Sequence, residues 1–415
     1  MEIDQACPQC GAPVVLTETD RLLTCPFCKV RLYMSPPDIF RYLIPPAPGN
    51  AFNPELVYAP YRRFRGMVFD LRVPNENERV LDLNFLALPS GIFPDTLGLR
   101  PQTLRLRPAA FQEEDRCLTP TVDLSDFPAR PATPQPPFPG PPRIPPSRTA
   151  FVGEVRSLIY APFYYARGQW HDAVLDRPLA STSGPDPVQE FVWDLKKTWD
   201  LHFIPTLCPD CGWDLAAVNE SCLLFCPQCR SGWEPCGQGL RRFPFFRQSG
   251  GGEDQACFSL PFWYFQLPYD PPDYFRLPVS KLFALPAGQA PPWDPIPTKS
   301  SFLVPAFKIS PRIFLRLGRA ATLTPFPETD LEPGLPAAYH PVTLPAEEAL
   351  GFIEVLQASL DQETVVLAGS RPRIDSRDWE KKLVFIPFLE TPYELIQPRS
   401  RFGISKNALN LGRFI

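Results

Sequence analysis

Apolar positions in this chain come in short runs cut by proline. LVYAPY, SLIYAPFYYA, SLPFWYF, FLVPAF and LVFIPFL each place a proline between two aliphatic or aromatic groups. Runs of this length, rich in β-branched and aromatic residues and flanked by turn formers, predict strands. A proline inside such a run predicts that the strand ends or bulges there, because the ring removes a ladder donor. The aromatics then fill a core, with a ligand-stacking surface as the sharper alternative. Helical periodicity is confined to a few places. Asp186 and Pro187 open a pattern in which Gln189 stands at the third helical position and Phe191, Val192, Leu195 and Trp199 share a face. A second helix is expected over 345–360, from Pro345 through Leu350, Phe352, Ile353, Leu356 and Leu360, with Glu347 and Glu348 near its positive end. A short helical turn is expected after Ser310 and Pro311.

The runs repeat. YAPYRRFRG at 58–66 returns as YAPFYYARG at 160–168, and Asp70 and Asp172 each stand four residues after the shared glycine. A longer period of 201 residues relates Cys7 to Cys208, Leu22 and Leu23 to Leu223 and Leu224, Cys28 to Cys229, and Pro60 to Pro261. Self-similarity at a fixed offset is the mark of duplication, so Pro60 and Pro261 are expected to occupy equivalent strands, as are Pro60 and Pro162.

The conserved offset carries eight cysteines. Cys7 and Cys10 are followed after fourteen residues by Cys25 and Cys28, and Cys208 and Cys211 after fourteen by Cys226 and Cys229. Between them VVLTETDRLLT and WDLAAVNESCLLF read as strand, polar turn, strand, the hairpin that carries two CxxC turns to one ion. Four thiolates at this spacing predict one zinc per set, two in all, in closed sites that contribute folding energy and leave no position for substrate. The sites are expected to be independent, so that Cys25→Ser unfolds the first ribbon and leaves the second metal in place. Cys117, Cys222, Cys236 and Cys257 belong to no CxxC and read as inert thiols, Cys222 and Cys236 lying near the second set.

Composition narrows the class. Hydrophobic residues form 44% and aromatics 13% of 415 residues, which is globular, while 57 prolines make long helices scarce. The fold class expected is mainly β with a few helices, an α+β chain with two four-cysteine ribbons, each followed by proline-interrupted antiparallel β domains, in a duplicated arrangement. Its segments are 1–34, ribbon 1; 35–126, β-rich; 127–150, an extended proline-rich spacer; 151–205, a strand motif plus helix; 206–236, ribbon 2; and 237–415, β-rich with the helix near 345–360. RQSGGGEDQ at 247–255 reads as a loop tip.

Charge and motifs exclude much else. The net charge of -4 does not suit a bulk polyanion binder, and the N-terminus has no secretory pattern. Apolar runs are too short to cross about 30 Å of hydrocarbon, so a cytoplasmic chain without membrane insertion is expected. There is no phosphate loop, dinucleotide fingerprint, HExxH or nucleophile elbow. Of the three histidines, His171, His202 and His340, only His171 beside Asp172 suggests a general base, and a half-buried strand histidine is the plainer reading.

The cysteine sets, together with strand motifs such as LPFWYF and YAPF, resemble bacterial double zinc-ribbon proteins of the TFIIB type, with a rubredoxin-like CPxCG knuckle. The resemblance implies small three-stranded ribbons and an accessory or scaffold role. The function expected is therefore a non-enzymatic zinc-binding scaffold or adaptor working through protein partners, its contact surface in YAPFYYARG and LPFWYFQLPY with Tyr164, Tyr165 and Trp263 foremost. A zinc-ribbon nucleic-acid binder is the alternative, opposed by local charge: residues 1–34 hold four acids against three bases, and 206–236 four against one. A rubredoxin-like electron carrier is the second alternative.

Overall fold

The computed structural model describes residues 1–72, 75–111, 116–122, 148–179, 199–249, 257–266, 301–324, 328–360, 379–399 and 402–412. Strands dominate. Among the described residues they form two large sheets, of ten and seven strands, and two small three-stranded ones. The helix expected from Asp186, most of the proline-rich spacer and most of the 247–255 loop lie outside the described residues.

Both large sheets are built on one plan. A central strand, Arg148–Ala166 in the first and Glu380–Glu390 in the second, pairs antiparallel on one side with Leu56–Arg72 or Cys257–Gln266. On its other side it meets a parallel strand, Phe40–Leu43 or Phe245–Gln248, and then an antiparallel one, Gln169–Asp172 or Glu394–Ile396. The outer strands correspond as well: Asn75–Leu86 with Ser301–Pro305, Arg105–Pro108 with Leu331–Pro333, and Arg177–Pro178 with Gly403–Ser405.

Hydrogen bonds repeat with the strands. Ala87 N donates to Pro60 O and Ala306 N to Pro261 O, both at 2.9 Å. Thr121 and Val122 donate to Ala87 O as Thr343 and Leu344 donate to Ala306 O. Even side chains match in role, since Arg62 Nε donates to Val122 O at 3.1 Å and Trp263 Nε1 to Leu344 O at 2.8 Å. Pro60 and Pro261 thus hold the same place in the two halves.

The echo between residues 58 and 168 has a different origin. Its two copies are neighbouring antiparallel strands, with Ala59 opposite Ala161, Pro60 opposite Tyr160 and Tyr58 opposite Pro162. The structural counterpart of Pro162 is Pro387, which faces Ser259 as Pro162 faces Tyr58. Pro60, Pro162, Pro261 and Pro387 do not end their strands, contrary to the expectation, whereas Pro305 does end Ser301–Pro305, and the bulge in the first sheet falls between Gly153 and Val155. Each of the four internal prolines sits where one outer neighbour stops and the next begins. Beside Pro60, Asn75–Leu86 pairs no farther than Tyr61, and Arg116–Cys117 takes over at Tyr58. Beside Pro162, Phe40–Leu43 stops at Tyr160 and Gln169–Asp172 starts at Phe163. In such a gap no ladder donor is required, so the missing N–H costs little.

Strands from segments 35–126 and 151–205 pair within one sheet, and residues 148–150 are strand. The far end of that sheet reaches into the second half. Met67, Phe69, Ala150 and Val152 belong to the second half's core, where Phe69 lies 6.0 Å from Phe314 and 4.7 Å from Phe352 between ring centroids. The helix that starts at Pro311 runs for thirteen residues to Leu323, far beyond a single turn, with Phe314, Leu315 and Leu317 buried. The helix expected over 345–360 forms as two pieces, Ala346–Leu350 and Ile353–Leu360, parted at Gly351. Gly318 brings the longer helix against Phe352 and Leu356. Among the described residues no helix is long and apolar enough to cross a membrane.

Candidate metal centres

The eight cysteines of the repeat are brought together in two groups, Cys7, Cys10, Cys25 and Cys28, and Cys208, Cys211, Cys226 and Cys229, the sulfurs of each group lying within 4.8 Å of one another. The local backbone explains why. Gly11 N donates to Cys7 O and Cys7 N to Ala12 O, both at 2.8 Å, which folds CPQC into a tight knuckle. The same closed loop recurs with Lys29 and Cys25, and with Gly212 and Cys208. Each knuckle requires a left-handed residue just after its second cysteine: Gly11 and Gly212 at φ 73, Lys29 at φ 64 and Arg230 at φ 56. Glycine takes that conformation freely; the lysine and arginine bear a strain that a bound ion would offset.

The sulfur spacing suits a tetrahedral ion. Metal–sulfur bonds of about 2.3 Å give a tetrahedron with edges of about 3.8 Å. In the first group Cys7 and Cys28 are 3.8 Å apart and Cys10 and Cys25 3.7 Å; in the second, Cys208–Cys229 and Cys211–Cys226 are both 3.5 Å. These separations are far beyond the S–S bond of about 2.05 Å, so the groups are thiol cages and not disulfides. Each group can therefore hold one metal ion.

Acidity within the cages is uneven. Burial opposes ionisation of Cys25, but the amides of Cys28 and Phe27 donate to its sulfur and bring it down to about 6. At Cys28 the amide of Val30 is outweighed by burial and the neighbouring sulfurs, which push it up to about 12. The second cage behaves alike: burial of Cys208 is overcome by the Ser231 hydroxyl and nearby amides, giving about 6, while Cys211, despite the amide of Trp213, is pushed up to about 12 by burial and its sulfur neighbours. Without a cation the sulfurs must share protons. A divalent ion removes that conflict.

One difference between the cages was invisible in the cysteine spacing. Ser231 Oγ lies 3.0 Å from Cys229 Sγ and 3.5 Å from Cys208 Sγ, and Trp233 Nε1 donates to the same hydroxyl at 2.8 Å. The first cage has Val30 and Leu32 at the corresponding positions.

The other candidates do not gather into a site. Asp172 is buried, pairs with Arg100 at 2.5 Å and accepts the amides of Val174 and Leu175. His171 is its neighbour on a strand, so the two side chains leave opposite faces, and the imidazole stacks on Tyr164 with centroids 4.9 Å apart. His202 lies in a strand and His340 is buried against Phe307. Cys222 donates to Val342 O at 3.3 Å, burial pushes its thiol up to about 12, and it joins neither cage. Cys236 is exposed, Cys117 buried, and Cys257 half-buried.

The aromatic surface lies elsewhere than expected. Trp263 is 1% exposed, and Phe262, Tyr264 and Phe265 are buried with it, so LPFWYF is core. The misreading has a physical cause: in a sheet covered on both faces, alternate positions are all apolar, and no polar stripe marks which side is inside. Tyr164 and Tyr165 are half-buried; the Tyr164 hydroxyl donates to Asp176 at 2.8 Å and Tyr165 packs edge-on against Trp170. The exposed large side chains on the knuckles are Phe27 at 66% and Trp213 at 57%, with Leu207 beside Trp213 at 51%.

Comparison with protein-family models, curated proteins and solved structures finds no match to this chain. What it does rests on its own residues.

Proposed function

We propose that this chain is a zinc-stapled scaffold that binds two zinc ions and works by contacting other proteins, without chemistry of its own. The observation that carries the metal reading is the pair of four-sulfur cages, each closed by two knuckles, with two opposite edges of 3.5 to 3.8 Å and all four sulfurs within 4.8 Å of one another. Zinc suits four thiolates and has no geometric preference beyond the tetrahedron. Bound there, it supplies folding energy; the cysteines fill its coordination sphere, so no position is left for a substrate or an activated water.

The adaptor reading draws on what the cages hold rigid. Phe27 stands between Cys25 and Cys28, and Trp213 follows Cys211 by two residues, so both project from knuckles that metal would fix. Rigid exposed aromatics give contact area at low entropy cost. Charge continues to oppose nucleic acid: in the second ribbon Asp210 is paired with Arg242, and the single base between residues 206 and 236 is Arg230. The test is affinity capture from the native host with wild-type chain and with Phe27→Ala and Trp213→Ala. A protein retained by wild type and lost from a folded variant supports the scaffold. Salt-sensitive retention of DNA or RNA, or a coloured iron-loaded preparation, replaces it with the corresponding alternative.

A further inference from the structure

The stretch leading into the second ribbon completes the sheet of the first. His202–Pro205 pairs antiparallel with Arg31–Ser35, Ile204 opposite Tyr33 and Pro205 opposite Leu32, and Cys208 follows after Thr206 and Leu207. Backbone bonds continue the joint. The amides of Arg21 and Leu22 both donate to Asn219 O, at 2.6 and 3.2 Å, and Thr206 N donates to Arg31 O at 3.4 Å. The Arg31 guanidinium reaches Ala217 O at 3.1 Å. Around these bonds lies a small core owned by neither ribbon: Leu22 and Tyr33 come from the first, Leu215, Leu224 and Trp233 from the second, and two ligands of the second cage, Cys208 and Cys226, are buried in it.

A ribbon without its metal loses the energy that holds it folded. If the first unfolds, Leu22 and Tyr33 leave the shared core, and the second must keep Leu215, Leu224 and Trp233 covered alone. If the second unfolds, the first loses its third strand. Either loss exposes apolar surface and breaks backbone bonds in the other ribbon.

We propose that the two metal sites are thermodynamically coupled, each ion raising the chain's affinity for the other through the strand His202–Pro205 and the core shared by the ribbons. The proposal rests on the reading of both cages as metal sites. Coupling through binding is reciprocal, so the factor is the same in both directions, and couplings of this kind span about 5- to 150-fold. Cys25→Ser therefore weakens the second site as well as abolishing the first.

The test is a competition titration of zinc against a chromogenic chelator, using the full chain. Three constants are measured: the overall constant for two ions in wild type, and the single-site constants in Cys25→Ser/Cys28→Ser and in Cys226→Ser/Cys229→Ser. Coupling predicts an overall constant larger than the product of the single-site constants by about 5- to 150-fold. Equality of the two overturns it while leaving both metals in place. Fewer than two zinc ions on wild type overturns instead the reading on which the proposal rests. Where a cysteine variant fails to fold, Tyr33→Ala decides, since it keeps all eight sulfurs: a weaker second site supports the coupling and an unchanged one contradicts it.

Discussion

Single side chains separate the two cages and the two kinds of aromatic. The Ser231 hydroxyl holds two sulfurs of the second cage and is itself fixed by Trp233, whereas the side chain of Val30 can do neither for the first. Loss of such an outer partner costs metal affinity on the order of 10- to 100-fold. Ser231→Ala should therefore weaken the second site by about that much in a chelator competition, while Val30→Ala leaves the sulfur contacts of the first unchanged. The aromatics divide by burial. Trp263, enclosed and bonded to Leu344 O, should cost about 3 to 5 kcal/mol when replaced by alanine. Tyr164, half-buried with its ring on His171, should cost less than Trp263 when replaced, and denaturant unfolding of the two variants side by side checks the order.

Elements show what a pattern along the chain can and cannot reveal. No hairpin joins the two knuckles of the first ribbon, where Pro13–Thr17 pairs with Glu2–Ala6 and Leu22–Thr24 with Arg31–Ser35, but the knuckles and the helix start at Ser310–Pro311 were legible because each depends on residues within a turn or two of one another. The extent of that helix was not, because its buried face is defined by Phe69 and Phe352, which lie far away in sequence. The prolines misled for the same reason. Whether Pro60 ends a strand depends on the neighbours Asn75–Leu86 and Arg116–Cys117, whose handover leaves a gap in the ladder. The reach of the first sheet over the second half's helices gives the corresponding prediction. Phe69→Ala should destabilise the chain by about 3 to 5 kcal/mol. It should also speed amide exchange in Ile353–Leu360, the segment its ring helps cover. Exchange unchanged there would show that the packing between halves contributes nothing.

At the scale of the whole molecule the duplication was visible only where insertions had not shifted it. The offset of 201 residues joins the ribbons and Pro60 to Pro261, but it becomes 222 at Thr121 and Thr343 and 225 at Pro162 and Pro387. Hydrogen-bond partners carry the correspondence where spacing loses it. The crossing of His202–Pro205 to the first ribbon could not be read at all, since pairing across such a separation leaves no local signature. The halves nevertheless keep large cores of their own, one around Tyr61, Phe163 and Trp170, the other around Phe262, Phe302 and Phe385. Stripping metal should therefore unfold the ribbons and leave most of the sheet signal in circular dichroism intact. Complete collapse on chelation would mean that the ribbons hold the sheets together too.

The central claim is that the eight repeated cysteines hold two zinc ions. Elemental analysis of the full chain, purified without chelator, tests it directly, with Cys7→Ser/Cys10→Ser and Cys208→Ser/Cys211→Ser measured alongside. Two zinc ions per chain in wild type, at most one in each variant and no iron in any of them is the result the proposal predicts. Less than one zinc per wild-type chain, iron in its place, or zinc retained undiminished when either pair is removed would contradict it.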